Sequence, residues 1–556
     1  MGAETSDTVE VACQYADGPH MGAKPGIDLL TASDVPPAWH TAIAKIQRLH
    51  DALNAIEEAE PVASWQIDGL HIWPILRQIA GSGTQRTVFM DWDALSPVLA
   101  ALRLMVRAAD VAEATDPAAH IELFSQAESG RVWFFGNTAG YTILGGHRVH
   151  SHFDTLRAGL EANGHRTHAY LMHEKRGDEA TIANRWFTAC SPIEDFLRAA
   201  YHSIERHWRH VGEELRPFLA QARAHPRLAE FASHELLLHP EVVRLAIARA
   251  LTVRDWLSKA FEAHRPKAVV FYPGFTSLSY GLCAAARASG VRCFEMQHGI
   301  QGRMHEGYHW SKTPDGGWNC TAPGMLCWTE RDSSLVQSTG NRTALLHGPG
   351  TLRLARHLLL EQPASSDTSN MHERLRKSLL DQVEEIRRIA TARARKPVTF
   401  VPQYMLRDNP LVSEIESMID RTGIELLRRE HPVTELRRSS AAAGDTLDAA
   451  TERVTSALLP AVLANSGGIV TGFSSTFLEA SLLRRPTVSI AAGGAIYYSS
   501  YLRDFGPEMA SFVGDAKALE TAIDQLPAAP EDPVEHLAAC LRPLPSTSEI
   551  VDAFLM

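Results

Sequence analysis

Lys267-Ala268-Val269-Val270-Phe271-Tyr272 runs into Pro273-Gly274-Phe275-Thr276-Ser277, then small residues to 288, then Gly290 and Val291-Arg292-Cys293-Phe294-Glu295-Met296. The β-branched and aromatic residues after Pro266 read as a buried strand. The Pro-Gly turn opens a helix over 278–288, Gly290 ends it, and 291–296 forms the next strand. Strand, helix, strand at this spacing is a βαβ unit, which requires parallel pairing.

The same pattern extends in both directions. Upstream, Arg131-Val132-Trp133-Phe134-Phe135-Gly136 reads as a strand. A Gly-rich loop through Gly140, Gly145 and Gly146 follows, then a helix from Phe153 to about Gly164 and a strand over 168–172. Residues 191–263 read as helical, broken near Pro226 and Pro240. Downstream, 325–328 is a short strand, and 345–370 reads as a linker. Strands over 398–402, 424–428, 468–471 and 487–490 then alternate with helices over 371–394, 410–421 and 475–483. The expected fold is α/β: a GT-B-like pair of doubly wound Rossmann-like domains facing a cleft, with a helical N-terminal accessory region. The expected divisions are an accessory region at 1–125, a first lobe at 126–345, a second lobe at 346–530 and a helical tail at 531–556.

A chain of 556 residues is too long for one core, which agrees with two large domains and an accessory region. The net charge of −11, without a long basic run, argues against a large nucleic-acid footprint. Seven scattered cysteines form no CxxC pair, so neither a zinc site nor a disulfide framework is indicated. Residues 1–25 hold no apolar core, and no apolar run approaches the ~20 residues of a spanning helix. A cytoplasmic location is expected, with any membrane contact peripheral at the inner face. GxxxxGK[ST], GxGxxG after a strand, HExxH and GxSxG are absent.

In open parallel sheets, ligands bind beyond the carboxyl ends of the strands. Three segments occupy such ends. Gln297-His298-Gly299 closes strand 291–296 and is followed by a polar stretch with Arg303, His305, Glu306 and His309. His298 is a candidate site residue or a buried structural histidine. Glu430-His431-Pro432 follows the next lobe's second strand and the pair Arg428-Arg429. His431 is a candidate to donate a hydrogen bond to a phosphate or to protonate a leaving group, or else a surface or capping histidine among 26. Thr471-Gly472-Phe473-Ser474-Ser475-Thr476 turns a strand into a helix with hydroxyls and free N–H groups at its start. That suits an anion, and equally a plain helix cap. Glu479 lies one turn further in, as a ribose contact or a first-turn acid. Gln403 and Tyr404 end the second lobe's first strand and would face the cleft. Asp91-Trp92-Asp93 is a short DxD that could hold a divalent ion or cap a helix.

Together, Gln297-His298-Gly299, His431-Pro432 and Ser474-Ser475-Thr476 resemble GT-B glycosyltransferases of bacterial surface-polysaccharide synthesis. The similar groups are capsule and lipopolysaccharide Kdo transferases, bacterial sialyl- and polysialyltransferases, and CDP-glycerol glycerophosphotransferases. The resemblance covers roughly residues 130–525. It implies a metal-independent transferase with no cofactor beyond its co-substrate, a CMP-linked ulosonic acid such as Kdo or a sialic-acid-like sugar. The acceptor would be a glycan, glycolipid or glycoprotein; peripheral membrane association and a homo-oligomer are compatible with it. The resemblance also implies that His431, Ser474, Ser475 and Thr476 hold the donor's phosphate, with Glu479 as a ribose contact; Gln403 and Tyr404 are donor-side candidates by their strand-end position, or an ordinary loop. His298 matches the histidine proposed as base in the glycerophosphotransferases. The acidic Asp/Glu-Asp/Glu-Gly motif of the sialyltransferases is missing here, so the base stays open among His298, Glu306, Asp154 and Glu174. A CDP-polyol phosphotransferase, a UDP-sugar 2-epimerase and a non-catalytic scaffold on the same fold remain the alternatives.

Overall fold

The computed structural model describes residues 37–89, 122–126, 130–137, 140–172, 186–187, 189–229, 238–272, 274, 276–299, 305, 307–308, 310–338, 342–362, 366–393, 397–401, 417–430, 449–471, 474–490 and 510–556.

Helices Pro37–Ala59 and Trp73–Phe89 flank a small antiparallel hairpin, β1 (Gln66–Ile67) and β2 (Leu70–His71). Asp68 and Gly69 turn it, at φ 48° and 73°, as a two-residue primed turn requires. Leu49, Leu53, Ile56, Trp65, Trp73 and Leu76 bury themselves against Val211, Leu215, Leu245 and Ile247 of the first lobe's helices, and against Trp310 and Trp318. The accessory segment is therefore a layer on the first lobe, sharing its core.

The first lobe is built on β3 (Val132–Asn137), β6 (Thr167–Met172), β7 (Cys190–Pro192), β8 (Ala268–Phe271), β9 (Arg292–Met296), β10 (Gly324–Cys327) and β11 (Thr343–Leu346). They pair in parallel in the order β11-β10-β9-β8-β3-β6-β7. Alternate residues of β3 feed opposite faces. Val132 and Phe134 join Leu156, Leu160, Ile550, Val551 and Phe554 on one side. Trp133 and Phe135 join Phe196, Trp256, Phe261 and Leu282 on the other. Burial on both faces explains the near-continuous apolar runs of these strands. The strand order reverses between β3 and β8, which marks the crevice where such sheets take ligands.

The second lobe repeats the scheme with β12 (Thr399–Val401), β13 (Leu427–Arg428), β14 (Ile469–Thr471), β15 (Thr487–Ile490) and β16 (Ala510–Val513). All pair in parallel in the order β13-β12-β14-β15-β16, with the reversal between β12 and β14. The pair of doubly wound α/β lobes expected from the sequence is the architecture observed.

Two segments differ from the sequence reading. The Gly-rich stretch after β3 is a hairpin, β4 (Tyr141–Leu144) and β5 (His147–His150), turned by Gly145 and Gly146 at φ 60° and 77°. Glycine meets both left-handed positions at no steric cost, so this pair is a turn signal inside an apparent loop. The 345–370 stretch holds a largely buried helix, Gly350–Leu360, and the start of helix Ser366–Arg393. The last helix, Thr547–Leu555, is opened by a Ser546/Glu549 capping box and returns to the first lobe, where Phe554 lies 4.8 Å from Phe294.

Candidate functional site

Gln297 shapes the turn that carries His298. Its side chain is fully buried, accepts the Trp328 N–H at 2.6 Å and donates to the Gly299 carbonyl at 2.8 Å. One amide thus ties the end of β9 to the end of β10. His298, half-buried, then lies edge-on to Tyr272, ring centroids 5.5 Å apart.

Tyr272 is the first residue beyond β8, at the switch point. Its hydroxyl donates to Asn137, the last residue of β3, at 3.4 Å. The ring of His152 also approaches that of Tyr272, to 4.7 Å. His152, Tyr272 and His298 therefore form a cluster of rings at the carboxyl ends of the central strands. His152 sits between β5 and helix Asp154–Ala162. Its neighbour His150 is occupied structurally: one nitrogen bonds the Asn137 carbonyl at 3.1 Å, and the other accepts the Phe153 N–H at 3.3 Å.

Burial holds these imidazoles neutral. The pKa of His152 is lowered to about 4 by burial, and that of His298 to about 4 by burial and by the neighbouring His152. His305 and His347 are lowered to about 3, again chiefly by burial. Each ring is therefore uncharged at neutral pH, the form a general base needs, but a pKa so far below the working pH makes it a weak proton acceptor unless a neighbouring charge raises it. Asp154, one of the acids considered as base, is 1% exposed and accepts the His150 N–H at 2.7 Å; it faces Arg157 at 3.5 Å. Its carboxylate fixes the turn that presents His152.

Glu295, buried in β9, receives a hydrogen bond from the Tyr308 hydroxyl. Burial raises its pKa to about 7 despite that bond and the nearby Arg342. A Cβ on Gly274 would fall 2.0 Å from its Oε1, so the turn after β8 closes directly on this carboxyl.

The second lobe meets this edge through two consecutive residues. A Cβ on Gly350 would come within 2.8 Å of His152 Nδ1 and of the Ser151 carbonyl, so the chain packs against the histidine turn there. The next residue, Thr351, donates its hydroxyl to Glu479. Glu479 is buried, with its pKa raised to about 7 by burial against the opposing pull of Thr351 and Arg429.

Ser474 and Thr476 lie after β14, as the sequence indicates. The Ser474 hydroxyl donates to the Thr476 hydroxyl at 2.9 Å and accepts the Thr476 N–H at 3.3 Å. Ser475 occupies the N-cap position of helix Thr476–Leu482 without a side-chain cap bond. The residues before His431 are engaged: Arg428 pairs with Glu430 at 2.6 Å, and Arg429 donates to the Thr455 carbonyl at 2.7 Å. His431, Gln403, Tyr404, Glu306, Glu174 and the Asp91–Asp93 motif lie outside the described residues. Among the described residues no group of three His, Cys, Asp or Glu side chains is arranged to hold a metal. No described helix is long and apolar enough to cross a membrane.

His152, Tyr272, Glu295 and Thr351 were missed as site residues by sequence reasoning. For Tyr272 the signal was present, since it directly follows the strand whose reading decided the fold.

No family model and no curated protein matches the chain. Among solved structures, it overlaps the glycosyltransferase SsfS6 of Streptomyces sp. SF2575 at 14% identity and TM-score 0.35, covering 77% of this chain and 100% of that one. It overlaps the UDP-GlcNAc 2-epimerase of Neisseria meningitidis at 11% identity and TM-score 0.38, covering 77% and 98%. The UDP-N-acetylglucosamine 2-epimerase of Rickettsia bellii gives 12% identity and TM-score 0.40, covering 77% and 97%.

Proposed function

We propose that the chain is a glycosyltransferase that moves a sugar from a nucleotide-activated donor held by the second lobe to an acceptor held by the first. The supporting observation is the junction at Gly350 and Thr351. These neighbours bring the switch-point edge of one sheet, with His152, Tyr272 and His298, against Glu479 beside the helix start of the other. Two facing switch points suit two substrates, one for each lobe.

In this reading His152 or His298 takes the proton of the acceptor hydroxyl as its oxygen attacks the anomeric carbon. The bond from that carbon to the donor phosphate breaks, and its electron pair leaves on the nucleotide. Ser474, Ser475, Thr476 and His431 receive the growing phosphate charge; Gln403, Tyr404 and Glu479 line the donor, and Glu306 stands on the acceptor side. Glu479, largely protonated below pH 7, adds little negative charge next to a phosphate. The finer assignment, a CMP-linked ulosonic acid passed to a bacterial surface glycan, rests on the sequence resemblance alone.

A thermal-shift screen with CMP, CDP, UDP and dTDP tests the reading, because a ligand at 100 times its Kd stabilises by about 2.7 kcal/mol. Stabilisation by one nucleotide, lost in a Ser474→Ala/Ser475→Ala variant, is the expected result. Assay of that nucleotide's sugars should then give a glycosidic product. A phosphodiester product, or epimerised free sugar nucleotide without acceptor, would replace the reading; absence of any nucleotide binding would leave a scaffold.

A further inference from the structure

The accessory layer bonds the first lobe's helices through Asp68, which meets His207 and His210, and two further polar pins tie it to the segment that follows His298. The first is Glu57. Its side chain is 0% exposed, yet it carries four hydrogen bonds. Oε1 accepts from Trp73 Nε1 at 2.7 Å and from Arg77. Oε2 accepts the Ser311 N–H at 2.6 Å and the Ser311 hydroxyl at 2.8 Å. The second pin is a reciprocal pair at the hairpin: the His71 N–H donates to Asn319 Oδ1 at 2.9 Å, and the Asn319 N–H donates to His71 Nδ1 at 3.1 Å. Asn319 also donates to the Gly69 carbonyl.

Next to these pins along the chain lie the residues that reach the site. The Tyr308 hydroxyl bonds Glu295, and its ring stands 4.6 Å from that of His305. Trp310 and Trp318 are buried in the core shared with helix Pro37–Ala59. A fully buried carboxylate is costly unless every lone pair is used. Here two lone pairs are satisfied within the accessory layer and two by a single residue of the segment. This is a device for registering one surface on another, which an apolar contact alone would not provide.

We propose that the accessory layer is the template of the acceptor side, with Glu57 as a positioning residue that sets the segment from His305 to Asn319 beside His298. The inference rests on the transferase reading and gives residues 37–89 a part in it: they hold the acceptor surface while leaving the nucleotide lobe untouched.

The experiment compares the full chain with Glu57→Gln, Ser311→Ala and, as a control, Leu49→Ala, which weakens the same core without touching either pin. A glutamine cannot accept all four donors, so it must release Ser311 or Arg77. Three quantities are read: backbone hydrogen exchange over 305–320, affinity for the nucleotide found in the screen, and the acceptor KM against kcat. In Glu57→Gln, exchange over 305–320 should rise about tenfold relative to the β8 and β9 amides. Acceptor KM should rise about tenfold with kcat and nucleotide affinity within twofold, the signature of lost uniform binding equal to one charge-assisted bond. Ser311→Ala, an exposed position that keeps its backbone bond, should show the same pattern more weakly. Unchanged exchange and KM in both variants, or equal changes in Leu49→Ala, would overturn the proposal. Failure of the wild type to bind any nucleotide would instead overturn the transferase reading beneath it.

Discussion

Glu479 is buried at the junction of the lobes with a pKa raised to about 7. Its unfolded value is 4.5, so in the folded chain the proton is retained where the unfolded chain loses it. The stabilising contribution is complete below about pH 4.5 and is lost as pH rises through 7. Glu295 follows the same sign with the same window. The histidines oppose it: His152 and His298 are lowered to about 4, so their contribution is present above pH 6.5 and is lost as pH falls toward 4. Glu479→Gln removes the carboxyl titration and keeps an acceptor for Thr351. Relative to wild type, this variant should gain on the order of 2–3 kcal/mol between pH 5 and pH 8. Urea unfolding at the two pH values measures it, and an equal difference at both would show that the carboxyl does not titrate in this range. The site's histidines were hard to single out because the chain has 26 of them. Position in the chain does not mark His152; the ring of Tyr272 on one face and Gly350 against Nδ1 do, and both come from distant segments.

At the scale of the element, the β4–β5 hairpin shows what periodicity can and cannot reveal. The buried parallel strands were legible because both of their faces are apolar. The hairpin was not, because three of the four residues of β4 are partly or fully exposed, which leaves no alternation to read. Its tip nevertheless touches the other lobe: the Gly145 N–H donates to the Ser378 hydroxyl on helix Ser366–Arg393 at 2.7 Å. A Cβ on Gly145 would lie 3.3 Å from the Arg374 carbonyl. Gly145→Ala meets both a left-handed backbone and this contact. It should cost about 1 kcal/mol of stability and raise exchange in the hairpin and at the facing turn of the long helix. Thermal unfolding with hydrogen exchange reads both; a change confined to the hairpin would separate the tip from the other lobe. The helix within the 345–370 linker was hidden for a similar reason. His347-Gly348-Pro349-Gly350 does break the chain, but Leu352, Leu354, Ala355 and Leu358 follow it into the core, so the break is one turn long.

In the whole molecule, the chain crosses between lobes twice. Helix Gly350–Leu360 leads out of the first lobe, and helix Thr547–Leu555 leads back. The two are locked together where Arg353 donates to Thr547 at 2.9 Å and the Thr547 N–H donates to Glu361 at 3.0 Å. Arg356 and His357 also bond Glu361, which these partners hold at a pKa of about 2. Ile550, Val551 and Phe554 then complete the core over β3, β8 and β9. Phe554→Ala should cost about 3–5 kcal/mol, the range for a truncated core aromatic. The loss should appear first in the first lobe, although the substitution lies at the far end of the chain. Chemical denaturation checks the size and hydrogen exchange at the β3, β8 and β9 amides checks the place; an effect below about 1 kcal/mol would mean the helix is a loose appendage.

The return of that last helix also bears on the order in which the protein is made. Most domains close as they leave the ribosome, the N-terminal one first. Here the first lobe lacks one layer of its core until helix Thr547–Leu555 has emerged, by which time the second lobe's sheet has been synthesised. The apolar face awaiting Phe554 is therefore open while the second lobe is made, and the lobe that begins first is the one that finishes folding last.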